Sequence, residues 1–318
     1  MHFWPAAPIL PRAMYCRSER KAELKPRGGR ADIQRMPMMD FAVSHLPQLT
    51  HPLRNLAAWT AHFRVAEIPV LAQTAEALEA LRANEDGVDA NSLGEMIAND
   101  PLMTLKVLAH SSRHRSERVV TDVETVIAAL VMIGISPFFR AFGPQPTVEE
   151  RVAAEPEALQ GLTDTLERAH RGANFALGFA VHRMDHDAAV IHAAALLHDF
   201  AEMLLWCHAP MLALRIRALQ RADPTLRSAV AQVAVLGIEL ADLQQALMKA
   251  WRLPELLIRI SDDRHADRPG VQSVTLALRL ARHTALGWDN PAIPDDVNDI
   301  ANLLNLSQAA TLQLVREI

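Results

Sequence analysis

Ile191-His192-Ala193-Ala194-Ala195-Leu196-Leu197-His198-Asp199 is the stretch on which the reading of this chain turns. Ile191, Ala194, Ala195 and His198 fall three, four and seven positions apart, one face of an α-helix, so an imidazole points inward at the end of an apolar stripe. A carboxylate follows it directly. Upstream, Leu159, Leu162, Leu166, Ala169, Ala173, Ala176 and Ala180 trace a longer stripe whose small residues permit close helix approach, and His170 lies at its edge. His170, His198 and Asp199 are therefore the titratable side chains that this part of the chain singles out.

Working outward, the rest of the chain predicts an all-α fold. Of 318 residues, 50% are hydrophobic and 22% charged, enough for a substantial core, while 12 Gly and 5% aromatic residues disfavour a β-sandwich or barrel. Leu71, Ala75, Leu78 and Leu81 repeat at helical spacing behind Pro69, which suits the start of a helix. Leu93, Met96 and Ile97 form a short stripe ending at Asn99-Asp100-Pro101, where Asp100 caps and Pro101 opens a helix carrying Leu102, Leu105 and Leu108. Val123, Val126, Ile127 and Leu130 begin another that stops near Gly134. Further helices are expected over about 210–222, 225–236, 239–252, 254–262 and 271–286.

Gly143-Pro144-Gln145-Pro146 is the clearest break. It predicts a linker over 146–156 between a first helical lobe, 46–145, and a second, 157–287. A helical pair over 288–318, with Pro294 opening one helix and Ser307 capping the other, is expected to pack on the core. The first forty residues differ in kind: eight Lys/Arg against four Asp/Glu, five prolines and no helical period predict a disordered extension over 1–45. The alternative is a start assigned too early, with Met36, Met38 or Met39 as the native first residue. Removing the four net positive charges of this segment from the overall −5 leaves −9 on the folded part.

That balance weighs against a nucleic-acid partner, since phosphate-binding chains carry a Lys/Arg surplus. The final helix offers only Arg316 as a strong phosphate contact, so a packing role is expected for the last two helices rather than DNA recognition. The longest uncharged run, 125–139, is broken by Pro137 and is shorter than the ~18 residues of a membrane span. Pro5, Pro8 and Pro11 spoil any export signal. The two cysteines, Cys16 and Cys207, lack metal or redox spacing, and Cys207 reads as a buried thiol. A cytoplasmic protein without a membrane partner is expected.

The motifs, taken in order, resemble a known family. Ile68-Pro69-Val70-Leu71 with Thr74 and Ala75, then Asn99-Asp100-Pro101-Leu102 with Lys106-Val107-Leu108, His110-Ser111-Ser112 and the segment 122–134 are similar to the first half of an HDOD domain. Trp251-Arg252-Leu253-Pro254 resembles the Trp-x-Leu-Pro element near its end. The resemblance spans about 60–285 and implies a two-lobed helical bundle of HD type. It also implies a bacterial signalling module, a relative of metal-dependent HD phosphohydrolases that is generally regarded as non-catalytic.

The resemblance gives His170, His198, Asp199 and Leu278 as the four positions of a degenerate HD site. Leu278, in Ala277-Leu278-Arg279-Leu280-Ala281, stands where the distant metal Asp would be. Glu202, in Phe200-Ala201-Glu202, replaces a Lys that assists phosphate chemistry in the phosphodiesterase branch. Gly237 is followed by Leu240 where a His is common, and Arg264-His265 replaces a His pair. Two functions follow. In the first, the chain is a non-enzymatic regulator without cofactor or metal, in which His198, Asp199 and His170 form a buried polar network. With no receiver, GGDEF, EAL or kinase segment recognised beside it, its signalling partner is expected in trans, at the crevice between the lobes. In the second, it is a metal-dependent phosphohydrolase of a nucleotide or cyclic dinucleotide acting through His170, His198 and Asp199. Arg113, Arg115 and Arg118, with His114, are candidate contacts for an anion or an acidic partner strip, against the simpler reading of a solvated loop. His182, His186 and His192 read as surface or satisfied core histidines.

Overall fold

Asp100 shows how the first lobe is assembled. In the computed structural model, which describes residues 47–113 and 123–318, this carboxylate is fully buried. Its Oδ1 accepts from the backbone N–H groups of Leu102 and Met103 at 2.9 and 3.0 Å, and its Oδ2 from Leu71 N–H at 2.8 Å. One side chain therefore caps the helix that Pro101 opens and pins the start of another, as its place before Pro101 predicts for the first of these.

The first lobe comprises α1 (Leu56–Val65), α2 (Ala72–Arg82), α3 (Ala90–Ala98), α4 (Pro101–Arg113), α5 (Val126–Ile133) and α6 (Ile135–Ala141). α5 stops where expected, because Gly134 adopts φ +84°, a left-handed conformation that side chains resist. α6 was not anticipated: Pro137 suggests interruption, but it stands in the first helical turn, where its missing N–H leaves no bond unmade. Pro69 lies outside α2, and the chain there forms an isolated parallel bridge between Val70 and Thr147. The described residues contain no longer β-structure.

The segment 146–156, expected as a linker, is an ordered crosspiece containing α7 (Val148–Arg151). Thr147 and Glu150 close a reciprocal capping box, Val148 and Val152 are buried, and Glu149 accepts from the N–H of Ala72 at 2.9 Å. Beyond it come α8 (Pro156–His182), α9 (Ala188–Leu196), α10 (Phe200–His208), α11 (Pro210–Ala222), α12 (Ser228–Leu236), α13 (Leu240–Ala250), α14 (Glu255–Ile260), α15 (Pro269–His283), α16 (Ile293–Leu304) and α17 (Gln308–Glu317). α8 is the spine, packed along α9, α10 and α15. Ser307 caps α17 by accepting from Ala310 N–H, as its position predicts.

Two apolar cores result. The smaller gathers Val70, Leu78, Leu93, Ile97, Val126, Leu130 and Phe138. The larger is built on the Leu162 to Ala180 stripe of α8 and also takes in Trp59 and Phe63 of α1. Thus α1, which the chain order places in the first lobe, packs with the second. The Trp59 indole donates to Leu236 O at 3.2 Å and the Trp251 indole to Arg64 O at 3.3 Å, two hydrogen bonds that tie α1 to α12 and to the end of α13. α4 is buried on both sides, presenting Leu102, Leu105 and Leu108 to the larger core and Met103 and Val107 to the smaller.

The run Ala188–His208, with mean hydropathy 1.4, is apolar and long enough by composition to cross a membrane. A turn over 197–199 separates α9 from α10, and 61% of the most apolar 18-residue stretch of the run is buried within the protein, the pattern of core helices. The expected N-terminal extension, Cys16, and Arg115 and Arg118 of the basic loop lie outside the described residues.

Replacing Asp100 with Ala strips three backbone donors, two of them buried, of their acceptor, and is expected to lower unfolding free energy by about 2–3 kcal/mol. Urea unfolding of the variant checks this, and a loss below about 0.5 kcal/mol would contradict the double-cap role.

Candidate functional site

The turn between α9 and α10 places His198 and Asp199 at the wall of α8, as the seven-residue face of Ile191 to His198 predicts. His198 Nδ1 meets Asp199 Oδ1 at 3.0 Å, and its Nε2 meets both carboxylate oxygens of Asp263 at 3.1 Å. Asp263 comes from a short 3₁₀ turn, Asp263–His265, after α14. An ionised carboxylate only accepts hydrogen bonds, so both ring nitrogens must donate, and His198 is an imidazolium. Burial opposes that charge, but the hydrogen bonds and charges of Asp199 and Asp263 outweigh it and raise the ring to about 10.

Asp199 spends its other oxygen on α8. Arg168 Nε donates to Asp199 Oδ2 at 2.9 Å, and another guanidinium nitrogen of Arg168 donates to Glu202 Oε2 at 2.8 Å. Glu202 also accepts from the buried Thr165 hydroxyl at 3.0 Å. Although burial works to raise it, the Asp199 carboxyl is held far below the usual range, first by Arg168 and then by His198, with Arg282 adding to them. Burial works against the Arg168 charge too, yet Glu202 and Asp199 carry its guanidinium above its ordinary value.

His170 takes a different part. Burial lowers its ring below the ordinary value. His192 of α9 is pushed down to about 4 by burial and then by His170, so the two stand as a neutral neighbouring pair. Leu278 is buried, and its Cδ2 lies so close to α8 that a Cβ built on Gly172 would come within 2.5 Å of it. A hydrocarbon thus packs on α8 two residues from His170.

These residues do not fit the divalent ion of metal-binding HD proteins. His198, donating from both nitrogens, has no lone pair for a metal, and Asp199 is shared between an imidazolium and a guanidinium. Among the described residues no three His, Cys, Asp or Glu side chains are arranged to hold a metal. Cys207 is a buried free thiol, pushed up to about 12 by burial, which leaves it unreactive. Of the basic-loop candidates, Arg113 donates to Arg64 O at 3.2 Å, tying α4 to the end of α1.

Sequence reasoning missed Arg168 and Asp263 and read Glu202 only as a charge hostile to phosphate. Arg168 had one visible signal, a cation set into the small-residue stripe two positions before His170. Asp263 had none beyond its charge.

The folded His198 lies above its ordinary 6.5, so its charge-linked stabilisation is complete below that value and is lost as pH rises through about 10. Asp263 is half exposed, which lets solvent screen its share. The stability advantage of the wild type over His198→Gln, measured by urea unfolding, is expected to shrink between pH 7 and about pH 10. An advantage that grows over that interval would contradict the imidazolium.

The HDOD domain family matches residues 68–266. Among solved structures, the MmoQ response regulator of Methylococcus capsulatus str. Bath superposes with TM-score 0.57 at 18% identity, covering 78% of this chain and 98% of that one. A virulence factor from Campylobacter jejuni subsp. jejuni gives TM-score 0.55 at 17% identity, covering 82% and 97%. At such identities the likeness establishes the fold. A search of curated proteins finds no match. With the family match spanning well over half of its length, this chain belongs to the HDOD domain family.

Proposed function

We propose that this protein is a non-catalytic signalling regulator that acts by binding another protein in trans, without metal or cofactor. The observation that carries the reading is that both ring nitrogens of His198 lie within hydrogen-bond distance of carboxylates, Asp199 on one side and Asp263 on the other. A phosphohydrolase of this architecture needs an imidazole with a free lone pair and a cation that can approach phosphate. Here the imidazole is protonated, Arg168 is consumed by two carboxylates, and Glu202 repels an anion. MmoQ, similar in fold, is named a response regulator, which supports a signalling role.

The surface proposed for the partner is the junction of the lobes. There a cavity of about 220 Å³ opens between Glu67 and Pro69 before α2 and Thr147, Glu150 and Arg151 of the crosspiece. Both signs of charge line it, which suits a polar protein surface better than a phosphate. The acidic balance of the chain gives no support to nucleic acid as the partner.

The purified protein is expected to release no product from a phosphodiester or cyclic dinucleotide in the presence of manganese, and to retain no stoichiometric metal after dialysis. Turnover that Asp199→Ala abolishes would overturn the proposal.

A further inference from the structure

Three charged side chains of the site meet at one point: Arg168 of α8, Asp199 from the turn before α10, and Glu202 of α10. Glu202 lies three positions after Asp199, so two carboxylates flank the first turn of α10. Arg168 of α8 lies directly opposite and donates to Glu202 at 2.8 Å and to Asp199 at 2.9 Å. Its side chain is only 21% exposed, and those of Asp199 and Glu202 are 16% and 30% exposed. Two carboxylates brought this close in a poorly hydrated position repel each other unless a cation lies between them. Thr165 and the Trp206 indole complete the shell of Glu202 from 3.0 and 3.4 Å.

We infer that Arg168 is a resident cation, placed between Asp199 and Glu202 to supply the positive charge that these two carboxylates would otherwise draw from a divalent ion, so that the pair is balanced without one. The positive charge is a side chain of the spine helix. Its position cannot be exchanged with solvent ions, and the site's geometry is independent of the metal content of its surroundings. This inference concerns the charge balance alone and stands whether or not a protein partner is found.

The logic is reciprocal. If the guanidinium does a cation's work, removing it should expose a demand for a cation. The experiment compares thermal unfolding of the full chain as wild type and as Arg168→Met, each with chelator and with millimolar manganese, calcium or sodium at matched ionic strength. The wild type is expected to melt at the same temperature throughout. Arg168→Met is expected to melt lower in chelator and to recover by about 2–4 °C in manganese or calcium but not in sodium, the shift that saturation of one weak site gives a chain of this size. The triple variant Arg168→Met, Asp199→Asn, Glu202→Gln, which lacks both charges that need compensation, is expected to be insensitive to all three ions. A purely structural arginine would lower the melting temperature without conferring the divalent response. Stabilisation of the wild type by divalent ions would overturn the inference, as would an Arg168→Met protein indifferent to them. Should Arg168→Met fail to fold in chelator, recovery of folded protein when manganese is present during refolding supports the inference equally, and failure in both counts against it.

Discussion

A guanidinium held between two carboxylates on neighbouring helices sets the arrangement around which the second lobe is ordered. Arg168 fixes where α10 begins relative to α8, because its two donors address Asp199 before the first turn of α10 and Glu202 within it. Asp199 in turn aligns His198, and His198 reaches across to Asp263, drawing the turn after α14 onto the end of α9. Four segments distant in sequence are thereby tied by alternating charges. Each member alone would be costly to bury; together they are satisfied, which is the condition under which a polar network specifies a core geometry rather than weakening it.

The apolar packing around this network is made compatible with it by small residues. Ala169, Ala173, Ala176 and Ala180 let neighbouring helices lie close to α8, and Gly172 admits Leu278 where a side chain would collide with it. The hydrocarbon at position 278 and the charges at 168 and 202 belong to one solution. On α15 the place facing Gly172 is filled by the aliphatic side chain of Leu278, packed on the spine.

How much of this was legible in the sequence follows from the range of each interaction. Caps and short faces were readable: Asp100 before Pro101, Ser307 before α17, and the inward His198 are all set by residues within about two turns of one another. The lobe membership of α1 was not, because it depends on the Trp59 indole meeting a carbonyl 177 positions away. Arg168 and Asp263 escaped for the same reason, their partners lying 31 and 65 positions distant. A charged residue carries no periodic signal that says whether it faces solvent or a partner, whereas a leucine at helical spacing does. The resemblance to HDOD domains pointed to His198 and Asp199 but said nothing of Arg168 or Asp263, whose charges had to be seen in place.

The two-sided burial of α4 bears on how the protein can be taken apart. Gly143 to Pro146 invites a cut that would yield two domains, yet such a cut would leave Trp59, Phe63, Leu102, Leu105 and Leu108 on one fragment and the apolar surface they cover on the other. α4 is a party wall: neither room stands without it, and neither owns it. The lobes are therefore one cooperative folding unit despite their separate cores, and a gene fragment beginning at α8 would encode a bundle with an open flank rather than a domain.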